Sequence, residues 1–293
     1  MGETTREQWL AERQNSIGAS ESPAALGQSP YRSPYQLWAE KTGLIEPADL
    51  SNFEPAEWGL RCEPIIADSF SDRTGRRVTM WLQHKSVRHP LFNWISCTPD
   101  AIQVCPMRGE GLLQIKITHE FNAANWKDGP PLYYQIQLQH EMAVMGMEWG
   151  TLVVLIGGQR LRYFDCWKNT RFIDTALLPK LEEFWRCVCT RTPPMVDGSI
   201  GTAKVLAALH PDDSGETVAL TIEADTWAGQ LASAKEARAK AEAAVTEAAN
   251  HIKAAMGAAT YGVAPNGTIF SWKTQDGAHG PMRVLRIINS IPN

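Results

Sequence analysis

The residues best suited to chemistry are Asp100 and the run Gly111-Leu112-Leu113-Gln114-Ile115-Lys116. Asp100 closes Thr98-Pro99-Asp100, at the end of one extended stretch, and Gln114 and Lys116 stand two apart in the next. Side chains two apart on a strand project from one face, so an acid, an amide and an ammonium can converge there. The main-chain carbonyl of Ile115 offers one more oxygen. Carboxylate and carbonyl oxygens are the donors Mg²⁺ demands, and a lysine beside them can position water and help deprotonate it. A Pro-Asp followed later by x-x-Lys is a short pattern that chance supplies often. Alone it reads equally well as a turn aspartate and a solvated strand lysine.

Strands and helices must bring these groups together. VTMWLQ (78–83), WISCTPDAIQV (94–104) and GLLQIKI (111–117) are strand-like, separated by turn residues including Pro90, Pro99 and Gly109. TLVVLIGG (151–158) and LRYFDCW (161–167) are two more. Trp58, Cys62, Ile65, Ile66 and Phe70 recur at three- and four-residue steps, which predicts a helix over 54–74 stopped by Gly75. Further helices are predicted over 21–26, capped by Ser20 and stopped by Gly27, and over 34–42, with Pro34 in the first turn. Two more follow over 132–145 and 173–189. Short strands among helices imply an α/β or α+β domain over about 1–195, with a mixed central sheet flanked by helices.

Residues 196–293 read differently. From 224 to 256 the chain is rich in Ala, Glu and Lys. Trp227, Leu231, Ala234, Ala241, Val245, Ala248 and Ile252 approximate a heptad seam, interrupted by Arg238. This long helix is either a partner-binding arm or a helix folded against the core, and we take the intramolecular arrangement as the expectation. Residues 261–277 then form a small hairpin around Pro265-Asn266-Gly267.

Composition narrows the class. With 44% hydrophobic and 20% charged residues the chain is globular, not disordered. No apolar run reaches membrane-spanning length and the N-terminus lacks the apolar core of a signal peptide, so a cytoplasmic protein is expected. Six scattered cysteines without a CxxC pair are expected to be reduced, mostly buried thiols. A net charge of −4 argues against non-specific coating of nucleic acid. A local basic channel remains compatible, with Arg61, Arg73, Arg76, Arg77, Lys85 and Arg88 gathered in one third of the chain.

Three further stretches accompany the acid–lysine pattern. Arg13-Gln14-Asn15-Ser16-Ile17-Gly18-Ala19-Ser20, with SPYRSPYQLWAEKTG after it, is similar to an R-x(4)-(G/T)-(A/G)-S motif. Trp58-Gly59-Leu60-Arg61-Cys62-Glu63-Pro64 is similar to a G-x-x-x-E helix. Tyr133-Tyr134-Gln135-Ile136-Gln137-Leu138-Gln139-His140 is similar to a Y-x-x-Q-x-Q helix. In this order and spacing, over roughly residues 10–190, they resemble the lambda-exonuclease (YqaJ-type viral recombinase) family, a branch of the PD-(D/E)XK nuclease fold.

The resemblance implies roles. Asp100 would be the central metal ligand, Glu63 a ligand from its helix, and the Ile115 carbonyl part of the same shell. Lys116 would orient water and stabilise charge on the phosphate. Arg13 and Ser20 would bind a terminal 5′-phosphate, and Tyr134 and Gln137 would support the site. Each has a plainer alternative: Glu63 and Arg13 as solvated charges, Ser20 as a helix cap, Tyr134 as a core aromatic. His140 is read as structural. The implied activity is a Mg²⁺-dependent 5′-to-3′ exonuclease on linear duplex DNA, with Mn²⁺ as a substitute ion. It would release 5′-mononucleotides and leave a 3′ single strand for a phage-type single-strand annealing protein. Ring-shaped homo-oligomers, trimers among them, and a phage or prophage gene in a bacterial host are implied as well.

One position departs from the pattern. Where the family carries Glu, this chain has Gln114, which keeps the shape and one carbonyl oxygen but loses the charge. Metal affinity and catalysis should fall accordingly. An engineered Glu→Gln change that yields an inactive form is the favoured explanation, and a natural Gln the other. Two rival functions stay open: an endonuclease on the same fold, and a non-catalytic DNA-end-binding protein.

Overall fold

The computed structural model describes residues 6–49, 53–82, 84–277 and 280–292. The chain divides into two compact units, residues 1–213 and 214–293. The first unit runs past the boundary expected at 195, because the helix α8 (Ile200–Leu209) docks on α3 (Pro34–Lys41). Val205 there is buried in the main core, and Thr202 Oγ1 lies 2.9 Å from Ser33 Oγ.

The centre of this unit is a mixed five-stranded sheet in the order β2 (Arg77–Met80), β5 (Ala101–Cys105), β6 (Gly109–Thr118), β7 (Trp149–Ile156), β8 (Arg160–Trp167). All neighbouring pairs are antiparallel except β6–β7, which is parallel. Parallel neighbours need a crossover. It is supplied by a 3₁₀ segment, Glu120–Trp126, and by α5 (Leu132–Met145). The sheet carries helices on both faces. On one, α4 (Glu54–Thr74) buries Ile66, Ala67 and Phe70 against Leu113, Ile115 and Val153. On the other, Leu138 and Met142 of α5 meet Leu112 and Leu152. The mixed α/β architecture expected from the sequence is therefore present.

α5 is enclosed on two sides. Its Ile136 and Val144 join a second cluster with Ile17, Leu37, Trp38, Ile95, Leu177, Leu181 and Phe184. A helix buried on two sides must be apolar over most of its surface, as this one is. The second cluster is built by α3, α7 (Leu178–Thr190) and a small sheet of β1 (Ile17–Gly18), β4 (Ile95–Cys97) and β3 (Val87–Arg88). α7 follows a short α6 (Thr170–Phe172) and a π-turn at Ile173–Leu177, so the helix expected over 173–189 begins irregularly.

Several local expectations change. The run 94–104 is two strands in different sheets, because Pro99 has no N–H to continue a ladder and the chain turns at 98–100. Asp100 precedes β5 instead of ending a strand. The run 78–83 pairs only as far as Met80, and Gln83 lies outside the described residues. Ser20 sits inside a 3₁₀ turn, Ala19–Glu21, and caps nothing; the Gly18 N–H is satisfied by Glu21 Oε2 at 2.8 Å. The helix after it, α2, is confined to Ser22–Ala25. An additional helix, α1 (Arg6–Gln14), has no apolar stripe to announce it.

In the second unit, α9 spans Glu223–Met256, 34 residues, or about 50 Å of helix. None of its side chains is buried, and Trp227, Leu231 and Val245 of the seam are all exposed. The cover expected for that seam is thus not found within its unit. The expected hairpin is a three-stranded antiparallel sheet of β9 (Tyr261–Val263), β10 (Ile269–Gly277) and β11 (Gly280–Ile288). Arg283 ties it to the end of α9, its guanidinium 3.7 Å from the Trp272 ring centroid and donating to the carbonyl of Ala259 at 2.6 Å. Among the described residues no helix is long and apolar enough to cross a membrane. All six cysteines are free thiols, but only Cys97 and Cys105 are fully buried, and Cys189 is exposed.

Candidate active site

The β5–β6 register pairs Ala101 with Leu113, so Asp100, one residue earlier, falls beside Gln114. Asp100 Oδ2 accepts from Gln114 Nε2 at 2.5 Å and from the Ile115 N–H at 2.7 Å. Burial pushes the Asp100 carboxyl up, with Lys116 and these two donors offsetting part of the rise. Gln114 is 1% exposed and its Oε1 has no hydrogen-bond partner. Asp100 and Gln114 meet directly, through the long strand β6 and the bend before β5, and Lys116 stands two residues beyond Gln114 on β6.

Glu63 enters from α4, one turn before the buried Ala67. Burial first, then the Asp100 charge, push its carboxyl up to about 7, and Lys116 pulls in the other direction. The next turn of α4, at Ala67, packs with Leu113 and Ile115, the two residues that flank Gln114 on β6. Two neighbouring acids that both resist ionisation are a local excess of negative charge, which a cation would relieve.

The ammonium of Lys116 lies 5.1 Å from the Tyr134 ring centroid, and that ring stacks on the buried Trp126 at 5.4 Å. Tyr134 thus braces the lysine; burial pushes its hydroxyl up to about 12. Gln137, three residues along α5, donates not to a ligand but to Glu141 Oε1, at 2.9 Å. His140 is buried, with Nε2 3.0 Å from the Ser96 carbonyl, and burial holds its ring down at about 4. A ring buried in this way and held to the backbone is neutral at pH 7.

Arg13 and Ser20 come together, Nη2 to Oγ at 3.3 Å, but the guanidinium is shared with Glu21 Oε1 at the same distance. Glu21 is nearly buried and also holds Lys41 Nζ at 2.8 Å, with Arg32 at 3.9 Å. Burial pushes its carboxyl up, but Lys41, Arg13 and Arg32 outweigh this and hold it at about 2. Arg32 also pairs with Glu40 at 2.7 Å. Three cations around two carboxylates leave one positive charge in excess, with Arg13 at the more exposed rim. Of the basic run noted in the sequence, Arg76 is locked to Asp165 at 2.7 Å and the exposed Arg61 pairs with Glu57 at 2.8 Å.

The donor set suits a hard divalent cation in kind: two carboxylates, a backbone carbonyl and an amide oxygen left without a donor. It is poor in charge. Among the described residues no three His, Cys, Asp or Glu side chains lie close enough to hold an ion. That is the expected consequence of an amide at position 114. The sequence reading passed over Glu141, which lies one helical turn from Gln137; that spacing was the available signal.

Comparison with known proteins follows the same lines. A YqaJ-like viral recombinase domain matches residues 8–148. The Bacillus subtilis (strain 168) protein named "Uncharacterized protein YqaJ" is 30% identical over 270 residues, covering 90% of this chain and 82% of that protein. Among solved structures, the alkaline exonuclease LHK-Exo from Laribacter hongkongensis matches with TM-score 0.50 and 18% identity, covering 63% of this chain and 93% of that one. LHK-Exo in complex with dAMP gives TM-score 0.51 and 20% identity over the same shares. At such identities the structures establish a shared fold, the PD-(D/E)XK-like one. The sequence relationship goes further: this chain belongs to the YqaJ-like viral recombinase family.

Proposed function

We propose that this chain is a divalent-cation-dependent deoxyribonuclease that digests linear duplex DNA from a 5′ end. The observation that carries this reading is the contact of Asp100 with Gln114 and with the N–H of Ile115, on the strand that carries Lys116 and packs against the helix bearing Glu63. Family membership and the fold shared with an alkaline exonuclease support it.

Asp100, Glu63, the Ile115 carbonyl and the Gln114 amide oxygen would hold Mg²⁺, or Mn²⁺ in its place. The ion would supply charge neutralisation at the phosphate and a more acidic water. Lys116, braced on Tyr134, orients that water and keeps positive charge beside the phosphate oxygens. The water oxygen bonds to phosphorus as the P–O3′ bond breaks. The first nucleotide leaves as a 5′-mononucleotide whose 3′ oxygen takes up a proton, and a new 5′-phosphate remains on the strand. Arg13 and Ser20 would receive that phosphate through charge-assisted hydrogen bonds. The surviving 3′ strand suits a single-strand annealing protein, and the reading extends to a ring-shaped homo-oligomer in a bacterial cytoplasm, encoded by a phage or prophage.

A second reading is a DNA-end-binding protein without catalysis, favoured by the charge missing at Gln114. One experiment separates these. The chain and its Gln114→Glu variant are given Mg²⁺ and 5′-phosphorylated linear, 5′-hydroxyl linear or circular duplex. The exonuclease reading expects mononucleotides, faster from phosphorylated ends, and an intact circle. Cutting of the circle would favour an endonuclease. End binding with no cutting by either form would leave only the binder.

A further inference from the structure

α5 carries a third acid, buried in the same unit. Glu141 is 1% exposed, and while Oε1 accepts from Gln137, its Oε2 has no hydrogen-bond partner. Among the described residues, only two buried side-chain oxygens lack a partner, Gln114 Oε1 and Glu141 Oε2; the other orphaned atoms are nitrogens. α5 lies over the face of β6 that carries Gln114: its Leu138 and Met142 meet Leu112, and its Tyr134 lies over Lys116. Gln114 touches Asp100, and Glu141 is under the influence of Asp100 and Lys116. An acceptor that is buried without a donor is costly to keep. Two around one acidic spot are what a hard cation and the water bound to it would satisfy. Burial, with Asp100 adding to it, pushes the Glu141 carboxyl up to about 8, against the pull of Gln137 and Lys116. A neighbouring divalent charge would reverse that balance and favour the anion.

We propose that Glu141 supplies this cation site with the negative charge that position 114, an amide, does not. It acts from outside the ligand set, since no three acids lie within common ligand reach among the described residues. Gln137 holds it in place, which makes Glu141 a positioning residue. The inference rests on the nuclease reading for the site's purpose only, because cation binding is measurable without DNA.

The test is Mn²⁺ titration of the full chain by calorimetry or paramagnetic resonance in the absence of DNA, with melting in chelator as a control. Glu141→Gln keeps the size and the bond to Gln137; it should lose at least about tenfold in Mn²⁺ affinity, ~1.4 kcal/mol. Melting in chelator should be unchanged or higher, since a buried acid has gone. Glu141→Asp, which keeps the charge, should retain most of the affinity. Adding Gln114→Glu to Glu141→Gln should restore binding, with a larger gain than Gln114→Glu gives alone. Unchanged affinity in Glu141→Gln, or an equal loss in Glu141→Asp, would overturn the proposal. A chain whose Mn²⁺ binding depends on Glu141 but which cuts no DNA in any form would sink the nuclease reading and leave this one standing.

Discussion

Replacing Gln114 with glutamate puts a second charge against Asp100, and the size of the effect follows from the geometry. Gln114 Nε2 is a donor 2.5 Å from Asp100 Oδ2. With a carboxylate in its place, two unit charges at that distance repel by about 7 kcal/mol at an effective dielectric of 20, and still by about 4 kcal/mol after relaxing to 4 Å. That is roughly three pKa units, so without a cation the pair should keep one proton at pH 7. A carboxyl whose folded pKa is raised binds more protons folded than unfolded. The variant in chelator should therefore lose stability as pH rises above about 4.5, while the parent loses less. A divalent cation expels the shared proton and gains both charges. Relief of even a third of the repulsion makes Mn²⁺ binding about tenfold tighter, ~1.4 kcal/mol. Calorimetry in two buffers of different ionisation enthalpy reads affinity and proton release together, and digestion of 5′-phosphorylated duplex should speed up at least about tenfold. Unchanged affinity with no proton released, or a digestion rate that stays flat or falls, would refute the reasoning.

Three other outcomes are expected. Arg13→Ala should abolish the preference for 5′-phosphorylated over 5′-hydroxyl ends while leaving Mn²⁺ affinity unchanged; a preserved preference would remove the phosphate pocket. Glu21→Gln should cost about 3 kcal/mol at pH 7 by denaturant unfolding, because Lys41 would be left buried and uncompensated. Since the folded Glu21 pKa is depressed to about 2, that contribution is complete above about 4.5 and fades as pH falls toward 2, so parent and variant should converge in acid. Gly111→Ala would bring a Cβ within 2.5 Å of the buried Trp149 ring, and overpacking of this kind costs about 1–3 kcal/mol; a neutral result would mean the ring has room to move.

The period of the sequence was enough for whatever depends on neighbours along the chain. Spacing of three and four placed α4 at its observed bounds, Glu54–Thr74. Spacing of two put Gln114 and Lys116 on one face of β6, and the loss of charge at 114 needed no structure to be seen. Where the sequence misled, a distant partner made the decision. α1 carries no apolar stripe and is helical all the same, fastened by Trp9 to Thr98 at 3.4 Å. The run 94–104 divides between two sheets because each half finds its own partner strands. Ser20 reaches Arg13, but the buried Glu21 claims part of the same guanidinium. Glu141 reads as an ordinary helical acid until α5 is enclosed on both sides, when its carboxyl is buried with one oxygen left without a partner. Helical and strand periods are local geometry and are written in the chain. Register, burial and the field felt by an acid depend on residues far along it, and only packing determines them.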